Sequence, residues 1–185
     1  MNRLASAFLL ATAVWALNSE KPRMMRAMVA AQEKSFDERL RTANVADPFE
    51  LFGNTRGVYL EGYGIVFTTE VNLVVTPALM FGPFGPPAPA KKDMEKMHAR
   101  KVERLPLLKQ KMRDMLISAA SLDCVRPQEQ VVVGVSLVYL TWEDKTNLPA
   151  QILMQVERQK ILDYQAGRIK EKQLDGLIRT QEFWC

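Results

Sequence analysis

The chain has 185 residues, of which 48% are hydrophobic and 25% charged, and it carries a net charge of +4. That length fits one domain with a real core, and it excludes both a large two-domain enzyme and a tiny disulfide-stapled module. Ten prolines and nine glycines are too few for a fibrous or generally disordered chain.

Met1-Asn2-Arg3 gives a short positive start, and Leu4 to Leu17 (LASAFLLATAVWAL) carries no charge. Small residues follow at Ala11, Ala13 and Ala16, and charge returns at Glu20, Lys21, Arg23 and Arg26. This is the three-part layout of a secretory signal peptide, with residues 1–16 removed. The apolar run reaches about 21 Å as a helix, short of a hydrocarbon core of roughly 30 Å, so a signal peptide is favoured over an N-terminal membrane anchor. The expected address is outside the cytoplasm, periplasmic or extracellular. In that compartment Cys124 and Cys185 permit one disulfide, which would tie the last residue to the end of a long helix and contribute roughly 4 kcal/mol.

Residues 17–53 are expected to form an N-terminal helical arm and connector, and 54–185 a single α+β domain. Met25, Met28, Val29, Phe36, Leu40 and Ala43 recur at helical steps over 22–46. Ser35 and Glu38 have capping-box spacing, and Asp47-Pro48 ends the helix. From Tyr63 to Val75 apolar residues alternate with mixed ones, which predicts a strand with one covered and one wetter face. Gly57–Glu61 is its expected partner, turned through Gly62 and Gly64.

Residues 76–90 hold five prolines and two glycines together with Met80, Phe81 and Phe84, so they predict an irregular loop. Lys91 to Cys124 reads as a long helix whose apolar stripe stays in phase across Pro106, where a kink or a restart is expected. Gln130 to Trp142 is apolar on both parities and predicts a buried strand, with Gln151–Glu157 returning beside it. Roughly 158–181 has helical spacing with a break at Gly167. The expected fold is α+β, with two antiparallel hairpins forming a roughly four-stranded sheet. The long helix and a C-terminal helix pack on one of its faces.

Chemistry-bearing patterns are sparse. His98 is the sole histidine and has no partner at motif spacing. Gly134-Val-Ser136-Leu-Val138 lacks the final glycine of a nucleophile elbow. Gly62-Tyr-Gly64 leads into a strand, whereas phosphate cradling needs a helix N-terminus. No catalytic residue, cofactor site or metal site is assigned on these patterns. Glu70, between Thr68 and Asn72 on the wetter face, is the best candidate for a functional acid, and a small hydrolase could be drawn from it with Glu61. Glu143 and Asp144 read as solvated turn residues.

The uneven feature is Lys91–Arg113, with nine bases and three acids, a net of +6 against −2 for the rest of the chain. A solvated helix face explains most such runs, and an anionic membrane surface is the functional alternative. Nucleic acid is not expected, because no binding motif accompanies the charge. Met80, Phe81, Phe84, Lys96, Arg100 and Arg104 are the candidate partner-binding residues, combining adaptable apolar side chains with charge. The expected function is therefore a non-enzymatic binding or structural accessory in the cell envelope, with a protein partner. The hydrolase around Glu70 and membrane-surface association through 91–113 are the alternatives.

Overall fold

A computed structural model describes residues 25–75 and 90–184. The expected signal peptide, the proline-rich loop with Met80, Phe81 and Phe84, and Cys185 lie outside the described residues.

The described chain opens with α1 (25–41), followed by β1 (Glu50–Leu51), β2 (Arg56–Leu60) and β3 (Gly64–Asn72). Then come α2 (Lys91–Ala119), β4 (Gln130–Leu137), β5 (Gln151–Glu157), α3 (Arg158–Gln165), α4 (Glu171–Leu177) and β6 (Arg179–Phe183). The class is α+β, with helices packed on one sheet, as the sequence predicts.

The sheet has six strands rather than roughly four, and it is mixed. β1 and β2 share one side of β3, β4 lies on its other side, and β5 and β6 follow outward. The β3–β4 pair is parallel, with Gly64 opposite Gln130 and Val71 opposite Leu137. The reason is α2, whose crossover carries the chain back before β4 begins, so the two expected hairpins meet in parallel at the sheet centre. β6 is the second departure from expectation: the chain leaves the helical pattern at Ile178 and pairs antiparallel with β5, Arg179 opposite Gln155 and Phe183 opposite Gln151.

α2 runs as one 29-residue helix through Pro106. Pro106 is exposed, so its missing N–H costs no buried hydrogen bond. Ser35 lies inside α1 rather than at its start, so its spacing to Glu38 is no capping box. Gly167 ends α3 at φ 73° as the expected break.

The core lies on one side of the sheet. Ile65, Phe67 and Val71 of β3, Val131, Val133 and Val135 of β4, and Ile152, Met154 and Val156 of β5 meet Leu108, Met112, Met115 and Leu116 of α2. Phe36 and Leu40 of α1, Ile161 of α3 and Leu174 of α4 join the same cluster. The Phe36 ring stands edge-on to Phe67, with centroids 4.7 Å apart. Two glycines permit close approaches. Gly64 (φ 135°) sits where a Cβ would fall 2.0 Å from the Gln130 carbonyl oxygen, and a Cβ on Gly57 would meet Phe67 and Val29.

Candidate functional site on the open sheet face

Because side chains alternate along a strand, the residues between the core positions share the opposite face. The registers align them in rows across the sheet. Val58, Val66, Val132, Gln155 and Arg179 form one row, and Arg56, Thr68, Gly134, Leu153 and Gln181 the next. Glu70, Ser136, Gln151 and Phe183 make the third. None of these residues belongs to the helix-side core cluster.

Val58 is 56% exposed, and Leu60 and Phe183 are each 47% exposed. Val66 and Leu153 are half-buried, whereas Val132 is buried among them. Trp184 follows Phe183 and is exposed. Thr68 and Leu153 lean over Gly134, which offers no side chain of its own, so the middle of the face is low. The result is an apolar patch rimmed by Arg56, Glu70, Gln151, Gln155, Arg179 and Gln181. The centre of the face is thus apolar and its margin polar.

Glu70 lies on this face, exposed and opposite Ser136. Glu61 lies in the turn before Gly64, so about 20 Å of strand separates the two carboxylates. A catalytic carboxylate pair needs about 5–10 Å.

The basic segment is arranged quite differently. Lys101, with its side chain 2% exposed, pairs with Glu143, 4% exposed, and lies 5.2 Å from the centre of the Tyr139 ring. Glu143 is thus a buried counter-ion, not a solvated turn residue. Burial depresses the Lys101 ammonium while Glu143 opposes that shift. Arg104 is buried, pairs with Asp47, donates to the Asp47 carbonyl at 2.6 Å and stacks on Phe49. Arg100 shares Asp47, at 3.0 Å from its Nε. Burial raises the Asp47 carboxyl, but the two guanidiniums outweigh it and hold the group below its usual range. His98 Nδ1 lies 3.1 Å from the Asp144 carbonyl, a donor–acceptor pair that assigns the proton to Nδ1.

Further along α2, Lys109 pairs with Glu182, and Arg113 with Glu171 and Asp175. Lys91 and Lys111 pair with Glu95 and Asp114 on the helix itself. Among the described residues only Lys92 and Lys96 of the nine make no ion pair. The charge run is mostly an internal clamp that ties α2 to 47–50, the 138–150 loop and the C-terminal segment. Of the expected partner-binding cations, Lys96 is exposed, Arg100 is exposed but engaged, and Arg104 is buried.

The other end of the sheet is held by Arg158 and Glu129. Arg158 donates to the carbonyl of Ala120, the C-cap of α2, at 2.9 Å and to the Val125 carbonyl in the connection to β4 at 2.8 Å. Glu129 accepts from the Tyr59 hydroxyl at 3.0 Å and the Arg126 N–H at 2.7 Å. Burial raises its carboxyl, but those donors and the Arg126 charge outweigh it and leave the group below its ordinary value.

Cys124 lies at this end as a free thiol, which burial pushes up and away from its reactive form. The last described residue, Trp184, follows Phe183, which pairs with Gln151 at the start of β5. Cys185, the other half of the one disulfide that the sequence permits, lies outside the described residues.

Sequence reasoning missed Asp47, Glu129 and Arg158, since only tertiary contacts separate them from other surface charges. Among the described residues no group of three His, Cys, Asp or Glu side chains is placed to hold a metal ion, and no helix is long and apolar enough to cross a membrane. No family model, curated protein or solved structure matches the chain.

Proposed function

We propose that this protein is an exported, non-enzymatic accessory of the cell envelope that holds a protein partner against the open face of its sheet. The observation that carries this is the patch of Val58, Leu60, Val66, Leu153 and Phe183, on a face opposite all four helices. Isolated exposed apolar residues are ordinary, but a contiguous group with a polar rim marks an interaction surface. The N-terminal layout supports export. The titratable groups that stand out by burial, Lys101, Glu143 and Glu129, are engaged in holding loops, which leaves binding as the better use of the surface.

The other two functions have less behind them. The +6 segment is largely neutralised by its own protein, which weakens attraction to anionic lipid. A hydrolase needs a second carboxylate near Glu70, and Glu61 is too far away to be it.

A photoreactive residue placed at Val58, in cells producing the full chain, tests the proposal. The expected result is one discrete protein adduct, with none from the same probe at Lys34, exposed on α1. Equal labelling at both positions, or none at Val58, would contradict it. Export is checked by the mass of the native protein: cleavage after Ala13 or Ala16 is expected, and an intact Met1 in the cytoplasm would refute it.

A further inference from the structure

The sheet has two outer edges, and they are finished differently. Along β2 the outward groups are met by carboxylates from α1. The Gly57 N–H donates to Glu33 at 2.8 Å, and the Thr55 N–H and hydroxyl donate to Asp37 at 2.9 and 2.6 Å. Glu33 is in turn held by Arg26 at 2.8 Å. Covering an edge in this way keeps another strand from pairing with it.

β6 has no such cover among the described residues. It pairs with β5 on one side and with no strand on the other. Its sequence, Arg179-Thr-Gln-Glu-Phe183, contains no proline, and its four flanking and central residues other than Glu182 are exposed. The Phe183 carbonyl accepts from the Ala150 N–H at 2.7 Å, so it faces β5. Backbone direction alternates along an antiparallel strand, which turns the N–H and C=O of Thr180 and Glu182 outward.

We infer that this edge pairs with the β6 of a second copy of the chain, antiparallel and centred on Gln181, joining two sheets into one. Centring on Gln181 gives the full five-residue overlap and brings Thr180 opposite the partner copy's Glu182 on both sides of the two-fold. Those two pairs exchange four backbone hydrogen bonds. The side chains agree with this register. Arg179 faces the partner copy's Phe183, a cation against an aromatic ring, and the Gln181 side chains face each other. A parallel pairing would instead set Arg179 beside Arg179 and Glu182 beside Glu182. Two-fold pairing is self-complementary and closed, so it ends at a dimer. It also brings the exposed Phe183 and Trp184 of each copy toward the junction and makes the two open faces continuous.

The register is specific enough to test by crosslinking. At the two-fold, Gln181 forms a non-hydrogen-bonded pair with Cα atoms about 4.5 Å apart, within disulfide reach, whereas Thr180 lies diagonally from its own copy at about 8 Å, beyond it. With Cys124 and Cys185 replaced by Ser in the full chain, Gln181→Cys should form a dimer on mild oxidation and Thr180→Cys should not. By sedimentation velocity the unmodified chain should run at twice its monomer mass. Thr180→Pro removes an outward N–H from each copy without touching the β5 pairing, and should weaken self-association at least about ten-fold. A monomer at every concentration, equal crosslinking at both positions, or a Thr180→Pro dimer of undiminished affinity and intact fold would each overturn the inference. If Thr180→Pro does not fold, as judged by circular dichroism, the crosslinking pair decides.

Discussion

On the helix side of β3, Ile65, Phe67 and Val71 are wholly buried, whereas on the other side Thr68 and Glu70 are exposed and Val66 is half-covered. The same contrast continues through β5, where Ile152, Met154 and Val156 are buried and Leu153 and Gln155 are not. The helix side also draws in the ionic network of α2, with Lys101 and Arg104 buried against Glu143 and Asp47. The feature most visible in the sequence, the +6 run, therefore belongs to the closed side, where most of its charges are paired within the protein. The surface proposed for a partner is the quieter one, an apolar patch assembled one residue at a time from separate strands.

If the helix side is a satisfied structural unit, breaking one of its buried pairs should cost most. Lys101→Met strands Glu143 as an unpaired buried charge, and about 3–5 kcal/mol of stability should be lost. Adding Glu143→Leu removes that charge, and urea unfolding of the double variant should show at least half of the loss restored. A double variant no better than Lys101→Met would show that the two residues act separately.

Two glycines give a second contrast, between a close backbone approach and open space. Gly64→Ala forces a Cβ into the Gln130 backbone at a φ that side chains rarely adopt, and should cost about 3 kcal/mol. Gly134→Ala, on the open face, meets its nearest neighbours at 3.7–3.8 Å and should change stability by less than about 1 kcal/mol. Thermal melts of the two variants side by side would show whether the close backbone approach at Gly64, rather than the loss of a glycine as such, carries the cost.

Acid should act through the loop clamps. Glu129 has its carboxyl held below the ordinary value in the folded protein, so the stability it contributes is present above the unfolded value of about 4.3 and is lost as pH falls through the folded value. Glu129→Gln should flatten that part of the acid dependence, read as melting temperature against pH. An unchanged acid limb would place the sensitivity elsewhere, with Asp47 as the next group to test. Least of all, Val58→Lys and Leu60→Lys should shift stability by no more than about 0.5 kcal/mol each, since both side chains already face solvent.

Much of the architecture is legible in the residues. Near-strict alternation over 63–75 marks β3 and its two unlike faces, and apolar residues on both parities mark β4 as central. The strand at Gln151–Glu157 and the helix start at Lys91 agree with the periodicity. β6 is hidden because Arg179-Thr-Gln-Glu-Phe183 has one apolar residue and follows Leu174, Leu177 and Ile178, which continue a helical pattern. The parallel β3–β4 pairing is hidden because element order does not state which strands are neighbours.

The site was less legible than the fold. Lys101 and Glu143 are 42 positions apart and Arg113 and Asp175 are 62, so a charge count along one helix cannot see that its counter-ions arrive from elsewhere. Val58 and Leu60 are plain strand residues until register places them beside Val66 and Val132.

The most direct measurement is the native size of the protein in gently solubilised envelope extracts, compared with that of the purified chain. The Val58→Lys, Leu60→Lys double variant should keep its melting temperature and lose the additional mass that the unmodified protein carries, while Lys34→Glu on the helix side keeps it. A complex that survives the open-face variant intact, or that disappears with Lys34→Glu instead, would contradict docking on the open face.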